Sequence, residues 1–167
     1  MMSTHAANIL VSPKTRPEYV YSLIEEMLSQ LQCAWDSDTC HASCKHASRP
    51  GSPVGQCYVS SMCIAQLLEN FGIRTQINRG AVYSEYECLI EDHGWVEFFY
   101  HGQSWISDVT LHQLSGYSYI IMDLKSASGN IYKVSESRAL ANIDNEDVLF
   151  RHAILTSRLS NMDLGHA

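Results

Sequence analysis

The chain has 167 residues, a net charge of −7 and a hydrophobic fraction of 46%. This length fits one domain spanning residues 1–167, and the hydrophobic fraction is typical of a globular protein with a buried core. The basic residues do not cluster, which argues against nucleic-acid binding because that function needs a basic face to neutralise phosphates. No apolar run approaches the ~20 residues that cross a bilayer. We therefore expect neither a nucleic acid nor a membrane as partner.

The first residues and the cysteines bear on the cellular compartment. The segment MMSTHAANILVSPKTRP has no basic stretch leading into an apolar core, so we expect no secretory signal and a cytoplasmic location. Six cysteines would allow three disulfides in a secreted protein, but a cytoplasmic protein of this size favours reduced thiols. Cys63 and Cys88 lie within apolar patterns, which predicts that both are buried.

The first half of the chain predicts two helices separated by an irregular segment. Apolar residues recur every three or four positions over residues 17–32, with Pro17 suited to the first turn. Residues 33–55 are rich in cysteine, serine, glycine and proline, which is typical of a loop. A second helix is predicted to begin near Cys57 and to run to about Asn70, with Gly72 ending it.

The second half predicts mainly strands. Alternating, aromatic or β-branched segments occur at residues 73–83, 86–90, 93–100 and 104–109. Residues 119–124 and 131–134 indicate a further hairpin around the segment 126–130, and a last helix is predicted near residues 148–159. Helices followed by an antiparallel run of strands predict the α+β class.

Cys57 is the candidate nucleophile because it stands at the predicted start of a helix, directly after Gly55 and Gln56. The reactive form of cysteine is the thiolate, and unfilled backbone N–H groups and the helix dipole favour that charged form. The same N–H groups can face the oxyanion of an acyl-transfer intermediate. Gln56 either donates to that oxyanion or packs beside the helix start, and both alternatives stay open.

His93 and Asp108 are predicted to form a pair that serves this cysteine. Alternate residues of a strand share a face, so His93, Trp95 and Glu97 should point one way and Val96 the other. The chain is predicted to reverse near residue 101, which brings His93 opposite a residue between about 108 and 110. A carboxylate beside an imidazole fixes its tautomer and stabilises its charged form.

Three motifs together resemble the core of the transglutaminase-like superfamily. GQCYVSS (55–61) resembles the transglutaminase active-site motif, and LLENFGIRTQINRGAV (67–82) resembles the segment that joins the nucleophile helix to the first core strand. HGWVEFFYHGQSWISDVT (93–110) resembles the histidine strand and the closing Asp-x-Thr of the same core. The order and spacing of the three make the resemblance specific.

The resemblance implies a papain-like core with the nucleophile at a helix N-terminus packed on an antiparallel sheet. It implies Cys57 as nucleophile, His93 as base and Asp108 as its orienting partner, and it implies no cofactor. The expected function is a thiol-dependent amidase, deamidase or peptidase acting on protein or peptide. The small, polar residues before Cys57, such as Gly51 and Ser52, favour hydrolysis because amine transfer needs a site shielded from water. The alternatives are a true transglutaminase or acyltransferase, and a non-catalytic binding module on the same scaffold.

Two further groups of residues are candidates for the site. Trp95 is expected in the core beneath the site or against the substrate, and Trp35 either walls a substrate cleft or anchors the 33–55 loop. Thiols and imidazoles at positions 33, 40, 41, 44 and 46 could hold a tetrahedral zinc ion. Their spacing matches no established zinc signature, so we expect free loop residues and no bound metal. The sequence leaves the oligomeric state open.

Overall fold

The computed structural model describes residues 18–114, 116–124 and 131–159. Its three helices are α1 (Glu18–Ala34), α2 (Cys57–Asn70) and α3 (Glu146–Leu159). Its five strands are β1 (Arg74–Tyr83), β2 (Cys88–Tyr100), β3 (Gln103–Asp108), β4 (Ile120–Leu124) and β5 (Ile131–Arg138). Short 3₁₀ helices occupy Ala42–Ala47, Leu111–Gln113 and Leu140–Asn142. The α+β class predicted from the sequence is confirmed, whereas Pro17 and the segment 126–130 lie outside the described residues.

α2 begins and ends where the sequence predicts. Its first residue is Cys57, and the chain leaves it through Gly72, which has a φ of +76°. The Gly72 N–H donates to Glu69 O and the Ile73 N–H donates to Leu68 O, the paired bonds by which a glycine in the left-handed conformation closes a helix. The end of this helix is therefore fixed relative to β1, which follows directly.

The five strands form one sheet in the order β4-β3-β2-β1-β5, and each neighbouring pair is antiparallel. β2 and β3 are joined at the paired residues Tyr100 and Gln103 through His101 and Gly102, whose φ angles are +51° and +73°. Two consecutive residues with positive φ form the turn type that matches the twist of a hairpin. The predicted reversal near residue 101 is confirmed.

The predicted hairpin of residues 119–124 and 131–134 is wrong. Both segments are strands, but β4 pairs with β3 and β5 pairs with β1, at opposite edges of the sheet. The turn-forming residues between the segments are a local signal for a hairpin. Pairing depends instead on which edges still have unsatisfied backbone N–H and C=O groups, and β3 and β1 each leave one such edge.

The break predicted between residues 90 and 93 is also wrong. β2 continues through Glu91 and Asp92, and its pairing with β1 accommodates a register shift between Gly80 and Val82. Both acidic side chains are exposed, so the strand can continue through them without burying a charge. Cys88 begins this strand and is exposed, contrary to prediction, whereas Cys63 is buried.

The two faces of the sheet bury different side chains. Val96, Phe98 and Trp105 belong to the larger cluster, together with the apolar residues of the helices. Trp95 and Ile106 belong to a second, smaller cluster. This alternation confirms that Trp95 points away from Val96 and Phe98. Because both faces are covered, β2 is buried continuously from His93 to Phe98.

Candidate active site

The Cys57 thiol lies at the first position of α2 and is partly exposed. Gln56 is the N-cap residue, and its side chain makes no capping hydrogen bond. The first backbone N–H groups of the helix are thus not taken by a capping side chain, as the sequence predicts for a site that stabilises negative charge. Gly55, with a φ of +74°, supplies the left-handed turn that brings the chain into the helix.

His93 and Asp108 form a fully buried pair. The distance between His93 Nε2 and Asp108 Oδ2 is 2.8 Å, and both side chains have zero exposure. The second carboxylate oxygen of Asp108 accepts a hydrogen bond from the Thr110 backbone N–H at 3.3 Å. His93 therefore uses Nε2 for the carboxylate, which leaves Nδ1 as the nitrogen available to a reacting group.

Cys57 lies near the same histidine, since Tyr58, the next residue, packs against Gly94, the residue after His93, where an added Cβ would lie 3.4 Å from the Tyr58 ring. Burial lowers the pKa of His93, but the charge and hydrogen bond of Asp108, followed by a side-chain hydrogen bond with Cys57, raise its pKa to about 10. An imidazole with these two partners is held as the charged imidazolium at neutral pH. The structure thus brings together the three side chains that the sequence selected, from a helix and two adjacent strands.

Two residues beside this pair were not predicted. The Tyr132 hydroxyl donates to Asp108 Oδ2 at 2.9 Å, and the Gln113 amide nitrogen lies 3.3 Å from His93 Nδ1. Tyr132 also packs edge-on against Trp95 with ring centroids 4.8 Å apart. Gln113 follows the Asp-x-Thr motif by three residues, which was the available signal. Nothing local predicts Tyr132, because its strand reaches the site only through the sheet order.

A second buried histidine lies near the pair. Burial lowers the pKa of His112, and the Asp108 charge opposes this effect. The His112 ring packs near Trp35 and Tyr119, at centroid distances of 6.1 and 5.4 Å. Asp108 hydrogen-bonds His93 rather than His112. His112 is therefore a natural control residue, since it shares the surroundings of His93 without its direct partner.

For each of the three candidates for oxyanion or substrate contact, the structure shows the packing alternative of the two that the sequence left open. Gln56 is fully buried, and its amide nitrogen donates to Asp36 O at 3.0 Å, so it packs beside the helix start. Trp35 is 1% exposed and its indole N–H donates to Ser60 Oγ at 2.9 Å, so it anchors the loop to α2 and walls no cleft. Trp95 is also 1% exposed and lies in the core beneath His93.

The 33–46 cluster is held by contacts other than metal coordination. The Cys40 thiol donates to backbone carbonyl groups at residues 41 and 54, and His41 Nδ1 contacts the Ser43 hydroxyl at 2.6 Å. Among the described residues, no group of three or more cysteine, histidine or acidic side chains is arranged to hold a metal ion. A Cβ at Gly55 would lie 2.5 Å from Cys40 Sγ. The loop therefore packs directly on the residue that precedes the nucleophile by two positions.

Comparisons with protein-family models, with curated proteins and with solved structures return no match for this chain. In the described part of the chain, none of the helices is long and apolar enough to span a membrane. The six cysteines all lie in the described part and are all free.

Proposed function

We propose that the protein is a thiol-dependent amide hydrolase with a papain-like core of the transglutaminase type, acting on protein or peptide through a Cys57 acyl-enzyme. The observation that carries this proposal is the buried His93–Asp108 pair, with a 2.8 Å hydrogen bond, beside the N-terminus of the helix that begins at Cys57. Each residue alone has ordinary structural explanations. A buried imidazolium that is shared by a carboxylate and a thiol is the arrangement that activates a sulfur nucleophile.

In the proposed reaction, Cys57 Sγ attacks the carbonyl carbon of an amide while its proton resides on His93. The tetrahedral intermediate collapses when the C–N bond breaks and His93 gives its proton to the departing ammonia or amine. Water then attacks the thioester carbonyl carbon while His93 accepts one proton from that water. The C–S bond breaks, the carboxylic acid leaves, and the Cys57 thiolate and the His93 imidazolium are regenerated. Asp108 holds the histidine in one orientation throughout.

Two donors are available for the oxyanion of the intermediate. The first is the group of backbone N–H donors at the start of α2. The second is the amide of Gln113, whose nitrogen lies 3.3 Å from His93 Nδ1. Because a charged His93 cannot accept a hydrogen bond at Nδ1, this amide N–H can turn towards the oxyanion. Gln56 is unsuited to this role because its amide nitrogen is committed to a backbone carbonyl. Donors that are fixed before the reaction are the effective ones, since they need no reorganisation in the transition state.

Hydrolysis is the proposed outcome, rather than amine transfer, because nothing in the described site walls the sulfur from water. Trp35, the one large aromatic upstream of Cys57 that could have formed such a wall, is buried against Ser60. Residues 52–55 and Cys57 itself are partly exposed, although Gln56 between them is buried. Water competes well for a thioester in an open site.

The test is a pool of glutamine-bearing peptides incubated with the protein, with and without a primary amine, and analysed by mass spectrometry. We expect deamidated or cleaved peptides in both incubations, lost in Cys57→Ala and kept in Cys88→Ser, which removes an exposed thiol instead. Amine-linked peptides as the main product would indicate a transglutaminase. The absence of any Cys57-dependent product would favour a binding module.

A further inference from the structure

A cleft of about 480 Å³ opens beside the proposed catalytic residues. Its lining includes Tyr58, the residue after Cys57, and Asp92, the residue before His93. The cleft is completed by side chains from β1, from β5 and from the start of α3. Cys57, His93 and Asp108 are not part of the lining, so the cleft adjoins the proposed catalytic residues rather than containing them.

The arginines that line this cleft are all engaged by carboxylates. Arg79 makes two hydrogen bonds to Asp92, at 2.8 and 2.9 Å. Arg151 is bonded to Asp147 at 2.9 Å and also donates to the backbone carbonyl of Thr39. An anionic ligand would have to displace these partners before it could bind a guanidinium group.

The third arginine, Arg138, is shared by two acidic side chains. It contacts Glu136 at 2.5 Å and Asp144 at 3.1 Å. The cleft therefore has four carboxylates against three guanidinium groups. An excess of negative charge in a concave site raises the local concentration of cations.

In each of the three arginine–aspartate pairs of the cleft, the aspartate side chain is more exposed to solvent than the arginine side chain. The side chain of Asp144 is 84% exposed against 40% for Arg138, and that of Asp147 is 56% exposed against 4% for Arg151. Asp92 is likewise more exposed than Arg79. An incoming ligand thus meets carboxylate oxygens first.

Apart from His41 and Asn145, the rest of the lining is mainly apolar. Ile77, Ile143 and Val148 form part of the wall together with the Tyr58 ring. Lysine and arginine side chains place their methylene stems on apolar surface and their charged ends among carboxylates. An apolar wall with an acidic rim matches that chemistry.

We propose that this cleft binds a lysine or arginine side chain of the peptide whose carboxamide Cys57 attacks. The inference rests on the proposed function for the position of the scissile amide. The preference for a positively charged side chain depends only on the residues of the cleft and is independent of that function. An exposed ion pair contributes little by itself. With several carboxylates, we expect about a tenfold preference for a cationic over a neutral side chain at low salt, and a smaller preference at high salt.

The test uses the inert Cys57→Ala chain, so that binding is measured without turnover. The probes are short acetylated and amidated peptides that contain one glutamine and, before or after it, lysine, norleucine or glutamate. Calorimetric or NMR titration should give the order lysine, norleucine, glutamate, from tightest to weakest. Equal affinities, tightest binding of the glutamate peptide, or no binding of any peptide would overturn the proposal.

A pair of charge variants locates the effect. Asp144→Asn removes a highly exposed carboxylate from the cleft, whereas Glu69→Gln removes one charge from an exposed position near the end of α2, outside the cleft lining. We expect the lysine-to-norleucine ratio to fall at least about threefold in Asp144→Asn and to stay unchanged in Glu69→Gln. Equal ratios in the two variants would contradict a site in the cleft.

The outcomes separate the two proposals. Charge-selective binding to Cys57→Ala, without turnover of the same peptides by the unmodified chain, would retain the cleft and refute the hydrolase. Turnover with no charge preference would retain the hydrolase and refute the cleft.

Discussion

Replacing Asp108 by asparagine tests what holds His93 charged. Burial lowers the pKa of His93, and the Asp108 carboxylate is the main group that overcomes this effect and raises the pKa to about 10. Asparagine keeps the shape and one acceptor oxygen but loses the charge. Burial then dominates, so the pKa of His93 should fall below its usual value of about 6.5. A change of more than three pKa units corresponds to several kcal/mol, since one unit is about 1.4 kcal/mol.

This change should reverse the contribution of His93 to the pH dependence of stability. In the unmodified chain, the folded state binds the His93 proton more tightly than the unfolded state. The stability from this pair is therefore complete below about pH 6.5 and is lost as the pH rises towards about 10. In Asp108→Asn the unfolded state binds the proton more tightly, so the same residue should favour folding increasingly as the pH rises through about 6.5.

Chemical denaturation of both chains between about pH 5 and pH 10 measures the effect. The difference between the chains reports mainly on His93. His152, whose pKa is lowered by burial alone, contributes equally to both chains. His112 contributes a part of the same sign, because Asp108→Asn also removes the charge that opposes the effect of burial on its pKa. NMR of the His93 ring nitrogens should show a charged ring at pH 7 in the unmodified chain and a neutral ring in the variant. We also expect kcat/KM to fall by about 10²–10⁴, the range for loss of a base or its orienting partner. Parallel stability profiles in the two chains would refute the reasoning.

Two further substitutions test the surroundings of the pair. Gly55→Ala and Gly72→Ala both place a side chain at positive φ, but only at Gly55 would the new Cβ meet another side chain, at 2.5 Å from Cys40 Sγ. Urea denaturation should show that the free energy of unfolding falls by about 1 kcal/mol in Gly72→Ala and by about 1–3 kcal/mol more in Gly55→Ala. Equal losses in the two variants would mean that the 33–55 loop moves away from the new Cβ without cost. Tyr132→Phe removes a hydrogen bond of 2.9 Å to Asp108, and we expect about a tenfold loss of kcat with little change in KM, whereas a loss confined to KM would show that Tyr132 contacts the substrate.

The sequence was sufficient to predict features that depend on neighbouring residues. The start of α2 at Cys57, its end at Gly72 and the reversal at His101–Gly102 all follow from turn chemistry and periodicity within a few positions. The proximity of His93 and Asp108 followed from counting back from that reversal. These features were predictable because a short hairpin leaves little freedom in its register.

Features that depend on distant pairing were not predictable. The site receives Tyr132 from β5 because β5 adds to the free edge of β1, on the far side of the sheet from β4. The commitment of Gln56 to Asp36 O, and of Trp35 to Ser60, depends on how the 33–55 loop folds onto α2. A loop without periodicity carries no pattern from which such contacts can be derived.

The reactivity of Cys57 tests the central claim most directly, since a nucleophile that His93 activates must react before other thiols. The protein is treated at pH 7 with limiting iodoacetamide, and the labelled cysteines are identified by peptide mapping for the unmodified chain, His93→Gln and His112→Gln. We predict that Cys57 is labelled to about one equivalent before the more exposed Cys33 and Cys88. We also predict that His93→Gln slows this labelling at least about tenfold, whereas His112→Gln leaves it unchanged. Earlier labelling of Cys33 or Cys88, or a Cys57 rate that does not change in His93→Gln, would contradict the account.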